Sequence, residues 1–424
     1  MSSFKYIKAF GAEPTIIFIG KIIAIVGQFI GVKMLTTVMS LKSYGELSVA
    51  LSASTLGVLL IYGPLGQGIS RYLSIAIENG QFNFYESAIK KLTFQAITVV
   101  VLISLCLISI MYLFVNVAYI SIVTFIAILL ILDGLNSSIY AGLYNAERKR
   151  ILAAVIEVFD KFKYLFSFII IWALNDNIYY ALSCFIMTAL ILLLFNLYNY
   201  KNVFSKYRNS SHLINEKKVD YKKSIFVYSS PFAIWGIFTW GQTFSERYIL
   251  NYFYSGAEVG VYAVINQFGF QTISLGSGLI MQLSAPILFK QASKSYEAAH
   301  RLYDSIVFWF ILLIIGILFI TYLYSKEVII LASSIKYAQY AYYLPWMMLA
   351  GCLFSAGQII SMKQMIDIQP KKLIQPKIVS SVIEIILLMI FVKRSSISGV
   401  IGSSLVANSI YFIWLIILNK KNRL

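Results

Sequence analysis

Ionisable residues inside long apolar stretches are the features of this sequence best able to do chemistry. A charged side chain at mid-membrane costs about 2.5–3.5 kcal/mol on insertion scales, so its presence requires an explanation. The densest group is Glu157, Asp160, Lys161 and Lys163, within IEVFDKFKYLF. The first three follow the i, i+3, i+4 spacing of one helix face, whereas Lys163 points elsewhere and has no such local partner. Two interpretations stay open: charges lining a wet cavity, or a structural ion pair between Glu157 and Lys161.

A second polar stripe lies in a later apolar stretch. Trp235, Thr239, Gln242 and Glu246 recur at i, i+4, i+7 and i+11 and would share the side of a helix that faces a wet groove. Glu246 is a candidate ion or proton site. Arg247 cannot share that face, so it either belongs to a binding site or extends outward to the headgroups.

The embedded charges differ between the two halves of the chain. The first half holds five cations and three carboxylates: Lys21, Lys33, Arg71, Lys161, Lys163, Asp133, Glu157 and Asp160. The second half holds one cation and two carboxylates: Arg247, Glu246 and Glu384. Arg and Lys are the usual partners of phosphate, so a pocket in the first half would favour an anionic headgroup. Asp133, Asn136 and Glu384 are isolated in sequence and are interpreted as helix–helix hydrogen-bond partners.

Twelve stretches of mostly apolar residues must position these groups. A membrane span needs ~20 such residues, and a helix satisfies its own backbone in lipid. The predicted fold class is an all-α integral membrane protein with twelve transmembrane helices in two six-helix lobes around a central cavity. The predicted spans are 14–38, 46–72, 91–114, 118–143, 151–174, 178–200, 225–250, 259–287, 302–324, 339–362, 373–392 and 397–418.

The basic residues predict the orientation of the chain. Of the 35 Lys and Arg residues, 24 fall in the N-terminus, every second loop and the tail, and 5 fall in the opposite loops. Basic loops stay in the cytoplasm, which places both termini there. The net charge of +17 therefore reflects membrane topology, and no nucleic-acid partner is predicted.

The longest hydrophilic stretch predicts the domain organisation. It separates an N-terminal six-helix lobe (1–203) from a C-terminal one (224–424), with a cytoplasmic linker at 204–223. Tyr44-Gly45 and Val259-Gly260 recur at an offset of 215 residues, which favours a duplication. Coincidence stays open, because Gly is common in membrane helices.

Glycine and proline mark candidate bends and contacts. Gly63, Pro64 and Gly66 interrupt the second predicted span, while Gly276 and Gly278 lie in the eighth. These residues predict either hinges for alternating access or static packing kinks. In the first span, a separate small-residue stripe suits close helix contact. Its members are Gly20, Gly27 and Gly31.

Several classes of function are disfavoured. The sequence contains no phosphate-binding loop, no GxSxG turn and no HExxH helix. Cys106, Cys184 and Cys352 are too widely spaced in sequence for a metal-binding motif. Both histidines lie in hydrophilic loops. We therefore predict a protein that is not an enzyme and has no cofactor, with H⁺ or Na⁺ as a coupling ion.

Two segments carry a family resemblance. YGELSVALSASTLGVLLIYGPLGQGISRYLSIAIENGQFNFY resembles the second-span region of the polysaccharide (Wzx-type) flippases, in the superfamily that includes the lipid II flippase and the MATE exporters. The matching pattern in the other half is a Pro, an acidic-Arg pair, a Val-Gly-Xaa-Tyr start and a late Pro. Its members are Pro231, Glu246-Arg247, Val259-Gly260-Val261-Tyr262 and Pro286. Glu246 departs from the commoner Asp.

The resemblance implies a transport function. It is movement of an undecaprenyl-pyrophosphate-linked oligosaccharide repeat to the outer leaflet of the bacterial inner membrane, by ion-coupled alternating access, for O-antigen, lipopolysaccharide or capsule synthesis. Membrane lipid, a polysaccharide polymerase and a chain-length regulator are the further candidate partners. The candidate substrate-binding residues are Lys21, Arg71, Lys161, Lys163, Gln242 and Arg247, and the ion-coupling residues are Glu157, Asp160 and Glu246.

Two alternatives remain. A multidrug or cation antiporter of the same superfamily would favour an anionic cavity, which the excess of embedded cations in the first half disfavours. A membrane enzyme such as a polysaccharide polymerase would carry a large outer loop, which the sequence does not contain.

Overall fold

The computed structural model describes residues 12–114, 118–209, 219–292, 295–367 and 369–421. Within these ranges the chain forms helices joined by short turns and contains no β-strand, which confirms the all-α class. The predicted cytoplasmic N-terminus at residues 1–11 and part of the predicted linker, residues 210–218, lie outside the described residues.

Helices long and apolar enough to cross a membrane fill most of the described chain, so the protein is a multi-pass membrane protein. There are nine of them in these ranges. They are Ile19–Val38, Leu41–Glu78, Phe82–Leu113, Ile120–Ala146, Ile178–Arg208, Gly256–Ala292, Tyr296–Leu323, Ile335–Ile366 and Ile374–Lys420. The last contains two predicted spans, and the predicted spans 151–174 and 225–250 are also helical. Twelve crossings in two lobes stay a prediction.

The chain divides into two compact units. The first contains residues up to Met39 and Val49–Trp240, and the second contains Ser40–Ser48 and Gly241–Leu424. The change of unit therefore falls inside two helices and not within the predicted linker. The six-helix organisation stays a prediction.

The first unit is built from eight complete α-helices, the later part of a ninth, the beginning of a tenth and two segments of π-helix. The α-helices are α1 (Ala12–Val38), α2 (Leu41–Gly57), α3 (Gly63–Glu78), α4 (Phe82–Phe114), α5 (Ala118–Gly134), α6 (Ala141–Ala146), α7 (Arg150–Asp160), α8 (Phe162–Ala173), α9 (Ile178–Asn209) and α10 (Tyr221–Phe253). The π segments are Val58–Tyr62 and Leu135–Tyr140.

The second unit contains the beginning of α2, the end of α10 and six further α-helices. These are α11 (Gly256–Asn266), α12 (Thr272–Ala292), α13 (Tyr296–Leu323), α14 (Ser325–Ala332), α15 (Leu344–Ile366) and α16 (Ile374–Lys421). A π segment, Gln267–Gln271, joins α11 to α12, and 3₁₀ turns lie at Ile335–Tyr343 and Pro370–Leu373.

Helix α1 packs closely on α7 and α8 through its glycine stripe. A Cβ built at Gly20 would lie 3.2 Å from the Ala154 Cβ, and one at Gly27 would lie 3.5 Å from the Lys161 Cβ. A Cβ at Gly31 would overlap Tyr164. The predicted close contact is confirmed, and at Gly31 only a residue without a side chain allows the approach.

Substituting Gly31 with Leu should destabilise the protein by about 1–3 kcal/mol, the usual cost of overpacking. The new side chain would push α8 away at Tyr164. Thermal unfolding of the purified protein in detergent measures the effect. Gly316→Leu is the matched control, because no atom lies within 4 Å of a Cβ at that position in α13. Equal stability of the two variants would contradict the packing argument.

Asn136 ties the second π segment to α9. Its Nδ2 donates to the Ala189 carbonyl oxygen at 2.8 Å, and its Oδ1 accepts from Asn196 Nδ2 at 2.9 Å. Its predicted role as a helix–helix hydrogen-bond partner is confirmed. The Asn136 amide therefore forms hydrogen bonds with one backbone carbonyl and one side-chain amide of α9, neither of which could find a partner in lipid.

The residues predicted as hinges lie in continuous helix. Gly63 and Pro64 begin α3 directly after the π segment Val58–Tyr62, and a Cβ at Gly66 would overlap the Ser138 backbone. The glycine at 66 therefore permits a close packing contact. In α12, Gly276 and Gly278 face open space. A hinge role for any of these residues stays a prediction.

The two glycines related by the 215-residue offset meet in the second unit. A Cβ at Gly45 would lie 2.7 Å from the Gly260 nitrogen, and one at Gly260 would lie 3.2 Å from the Gly45 nitrogen. Repeats related by a two-fold axis place equivalent residues against each other on that axis. This mutual contact is consistent with such an axis, and the duplication stays a prediction.

Candidate ion and substrate sites

A buried polar cluster in the second unit brings together residues from α10 and both arms of α16. Gln242 and Glu246 are four residues apart on α10 and share one face. Glu384 and Ser404 belong to α16, and a straight helix would separate them by about 30 Å. Ser396, with φ 48° and ψ −127°, breaks the helix so that the chain doubles back.

The carboxylates of this cluster are almost fully buried. Glu246 is 4% exposed and Glu384 is 2% exposed. The Ser404 Oγ lies 3.0 Å from Glu246 Oε1 and 2.7 Å from Glu384 Oε1. The serine hydroxyl therefore joins two acidic groups that lie 138 residues apart in sequence.

Counting hydrogen atoms shows that this arrangement needs one more positive charge. A serine hydroxyl carries a single proton, so it can donate to only one of the two carboxylates. The second short O···O contact requires a proton on a carboxyl group, or a bound cation at the same oxygens. Buried carboxylates are stable only when they are paired or neutralised in this way. The cluster therefore has the chemistry of a site for one proton or one small cation.

The side-chain amide of Gln242 completes the cluster, because its nitrogen donates to a carboxylate and its oxygen accepts from two donors. Its Nε2 donates to Glu384 Oε2 at 2.9 Å. Its Oε1 accepts from Ser381 Oγ at 3.0 Å and from Lys377 Nζ. The amide thus lies between an ammonium group and a carboxylate. Its predicted substrate-binding role is untested, and its observed contacts are those of a residue that positions Glu384.

Arg247 is buried, so the interpretation that its guanidinium extends outward is wrong. It is 7% exposed and lies over the Phe244 ring at 5.0 Å. Its Nε has no hydrogen-bond partner among the described residues. The local reason is that both sides of α10 are covered here by the second unit, so adjacent residues can both be buried. Its assignment to substrate binding stays a prediction.

The first unit holds a second charged cluster, at the junction of α7 and α8. Lys163 Nζ lies 2.9 Å from Asp160 Oδ1, and Lys161 Nζ lies 3.2 Å from Asp160 Oδ2. The side chains of Lys161 and Lys163 are 21% and 12% exposed. Lys163 also lies 5.3 Å from the centre of the Phe185 ring. One carboxylate thus serves two partly buried ammonium groups.

This geometry corrects two predictions about the cluster. Lys163 does have a local partner, Asp160, and Lys161 pairs with Asp160 and not with the exposed Glu157. The reason is a break in the helix: α7 ends at Asp160 and α8 begins at Phe162, so regular i, i+4 spacing does not extend through Lys161. Asp133, predicted to be isolated, interacts electrostatically with Asp160 and Lys163.

The two other cations of the predicted substrate site lie elsewhere in the first unit. Lys21 is partly buried on α1, next to the Gly20 contact with α7. Arg71 is exposed on α3 and forms no ion pair among the described residues. Their role toward a substrate stays a prediction.

Sequence reasoning missed three members of the second-unit cluster. Glu384 was interpreted as isolated, and Ser404 was not singled out. Lys377 was counted among the 24 basic residues on the cytoplasmic side, although it falls within the predicted span 373–392. A signal did exist, since Lys377, Ser381 and Glu384 follow the i, i+4, i+7 spacing of one helix face.

Neither a protein-family model nor a curated protein sequence matches this chain. Solved structures do. An inward-facing multidrug-resistance MATE family transporter of the MOP superfamily aligns over 93% of this chain and 98% of its own, with TM-score 0.63 and 13% identity. A Vibrio cholerae MATE transporter aligns over 97% and 95%, with TM-score 0.63 and 12% identity. The chain has the fold of these transporters.

The lipid II flippase MurJ shares the same fold. Its inward closed conformation aligns over 95% of this chain and 87% of its own, with TM-score 0.64 and 14% identity. Drug transporters and a lipid flippase therefore match this chain about equally well. These comparisons show the fold alone, and the function has to be argued from the residues of this chain.

Proposed function

We propose that this protein is a flippase for an undecaprenyl-pyrophosphate-linked oligosaccharide in the bacterial inner membrane. It moves the lipid-linked repeat from the cytoplasmic to the outer leaflet and is driven by H⁺ or Na⁺. The observation that carries the proposal is the pair of ammonium groups at Lys161 and Lys163, partly buried and sharing one carboxylate. Amines held in this way recognise phosphate.

The two charged clusters suggest a division of labour. In the cluster around Asp160 two ammonium groups share one directly bonded carboxylate, which suits an anionic diphosphate. The Glu246–Glu384 cluster has an excess of buried carboxylate and suits the coupling ion. In this mechanism the Asp160 carboxylate balances the two lysines until the substrate phosphate displaces it. Ion binding at Glu246 and Glu384 then favours one of two access states, because a ligand shifts an equilibrium by its differential affinity.

Substituting Lys161 or Lys163 with Ala tests the substrate site. Each variant is expressed from a plasmid in cells that lack their own copy of the gene. We expect these cells to lose surface polysaccharide while the amount of the protein in the membrane is unchanged. The reason is that each lysine supplies a charge-assisted hydrogen bond to the phosphate, about 1.5–3 kcal/mol. Lys91→Ala is the matched control, because Lys91 is exposed on α4. Normal export by both variants would overturn the cationic-site assignment.

The second candidate is a multidrug or cation antiporter. It is favoured by the buried carboxylates of the second unit, which could attract a cationic drug. It predicts that cells expressing the protein accumulate less of a cationic dye and that Glu246→Gln and Glu384→Gln restore accumulation. A flippase leaves dye accumulation unchanged in all these strains.

A further inference from the structure

Lys377 is a partly buried lysine that neither proposed role uses. It lies in the first turn of α16, with its Nζ 4.8 Å from the centre of the Phe354 ring and 5.9 Å from that of Tyr411. Its Nζ donates to the Gln242 Oε1. No carboxylate of the described residues lies within ion-pair distance of it. An ammonium group out of water without an ion pair costs free energy, so its position needs a reason.

Packing does not supply that reason. A Met or Leu would fill the space between Phe354 and Tyr411 without the cost of burying a charge. The Gln242 Oε1 does not need a charged partner either, because any neutral hydrogen-bond donor can satisfy an amide oxygen. What an apolar residue could not supply at this position is the positive charge.

That charge lies next to the carboxylate pair. A single side-chain amide separates the two, since Gln242 accepts from Lys377 and donates to Glu384. Lys377 and Glu384 are also seven residues apart on the same face of α16, about two helical turns. Rotation of the flexible lysine stem, with Gln242 moving aside, would carry the ammonium group toward Glu384. The aromatic rings offer a cation–π site for it when it is displaced.

We propose that Lys377 is a tethered cation that competes with the coupling ion for the Glu246–Glu384 site. When the coupling ion is absent, the ammonium group neutralises the carboxylates. When the ion binds, the ammonium group withdraws to Phe354 and Tyr411. The inference rests on the proposed coupling role of Glu246 and Glu384. As a consequence, Lys377 keeps the affinity of the site for the coupling ion low enough for the ion to be released. A transport cycle needs the ion to leave as well as to bind.

Binding of ²²Na⁺ to the purified protein tests the inference. Lys377→Met should bind Na⁺ at least about tenfold more tightly than wild type, because a like charge near the site is removed. Lys377→Arg keeps the charge and should stay within about threefold of wild type. Lys372→Met is the matched control, since Lys372 is exposed in the preceding 3₁₀ turn. Should Lys377→Met fail to fold, Lys377→Gln replaces it, because its amide can still donate to Gln242.

The outcomes separate the inference from the function on which it rests. Wild-type affinity in Lys377→Met, with binding abolished in Glu384→Gln, overturns the tethered cation and leaves the coupling site standing. Undiminished binding in Glu384→Gln overturns the coupling site itself. If ²²Na⁺ binding is detected in Lys377→Met but not in wild type, the expected result is obtained in its strongest form. If ²²Na⁺ binds to neither wild type nor any variant, the inference is overturned.

Discussion

Replacing Glu384 with Gln should reduce ion-driven transport by roughly 10- to 100-fold while the protein stays folded. The amide has nearly the same shape as the carboxyl group and can still contact Ser404 and Gln242. It cannot carry the negative charge that holds a proton or cation. Hydrogen bonds to charged groups contribute about 1.5–3 kcal/mol, which corresponds to this range of rate or affinity.

Flipping of a lipid-linked oligosaccharide in proteoliposomes, with an imposed Na⁺ or H⁺ gradient, measures this effect. Glu297→Gln is the control, because Glu297 is an exposed carboxylate in the first turn of α13. If Glu246 and Glu384 hold one ion together, the double variant should be little worse than either single one. Gradient-driven flipping at the wild-type rate in Glu384→Gln would remove this residue from the coupling role.

Replacing Asp160 with Ala should destabilise the protein by about 3 kcal/mol, the cost of leaving buried charge unpaired. The substitution removes the carboxylate to which both Lys161 and Lys163 are bonded. Two ammonium groups would then repel each other at the α7–α8 junction, and Asp133 is the other carboxylate that acts on Lys163. Thermal unfolding in detergent measures the loss.

A second substitution distinguishes charge balance from side-chain shape. Asp160→Ala combined with Lys163→Met removes one carboxylate and one cation, and we expect most of the lost stability to return. The isosteric Asp160→Asn should be nearly as destabilising as Asp160→Ala if charge is the cause. Full stability of Asp160→Asn would show instead that hydrogen bonding alone holds the junction together.

Local periodicity allowed much of the first unit to be predicted. The Gly20, Gly27 and Gly31 stripe was visible as helical spacing, and in the structure it packs on Ala154, Lys161 and Tyr164. The prediction failed at Lys161, because the break between α7 and α8 depends on tertiary packing and has no proline or glycine to mark it.

The second-unit cluster could not be predicted from spacing alone. Gln242 and Glu384 are 142 residues apart, and only the folded chain brings them into contact. Lys377 was misassigned because hydrophilic neighbours precede it, so its side chain was counted with a loop. Its contact with Gln242, 135 residues away in sequence, also depends on the folded chain and not on spacing within α16.

The π segments change how any comparison of aligned sequences with this chain must be made. Each one amounts to a single extra residue accommodated inside a helix, and an added residue turns everything beyond it by about 100°. A homologue whose second helix is regular α throughout would need a one-residue gap near Val58–Tyr62 for Gly66 to face the same neighbour. Ungapped alignment would pair side chains that point in different directions.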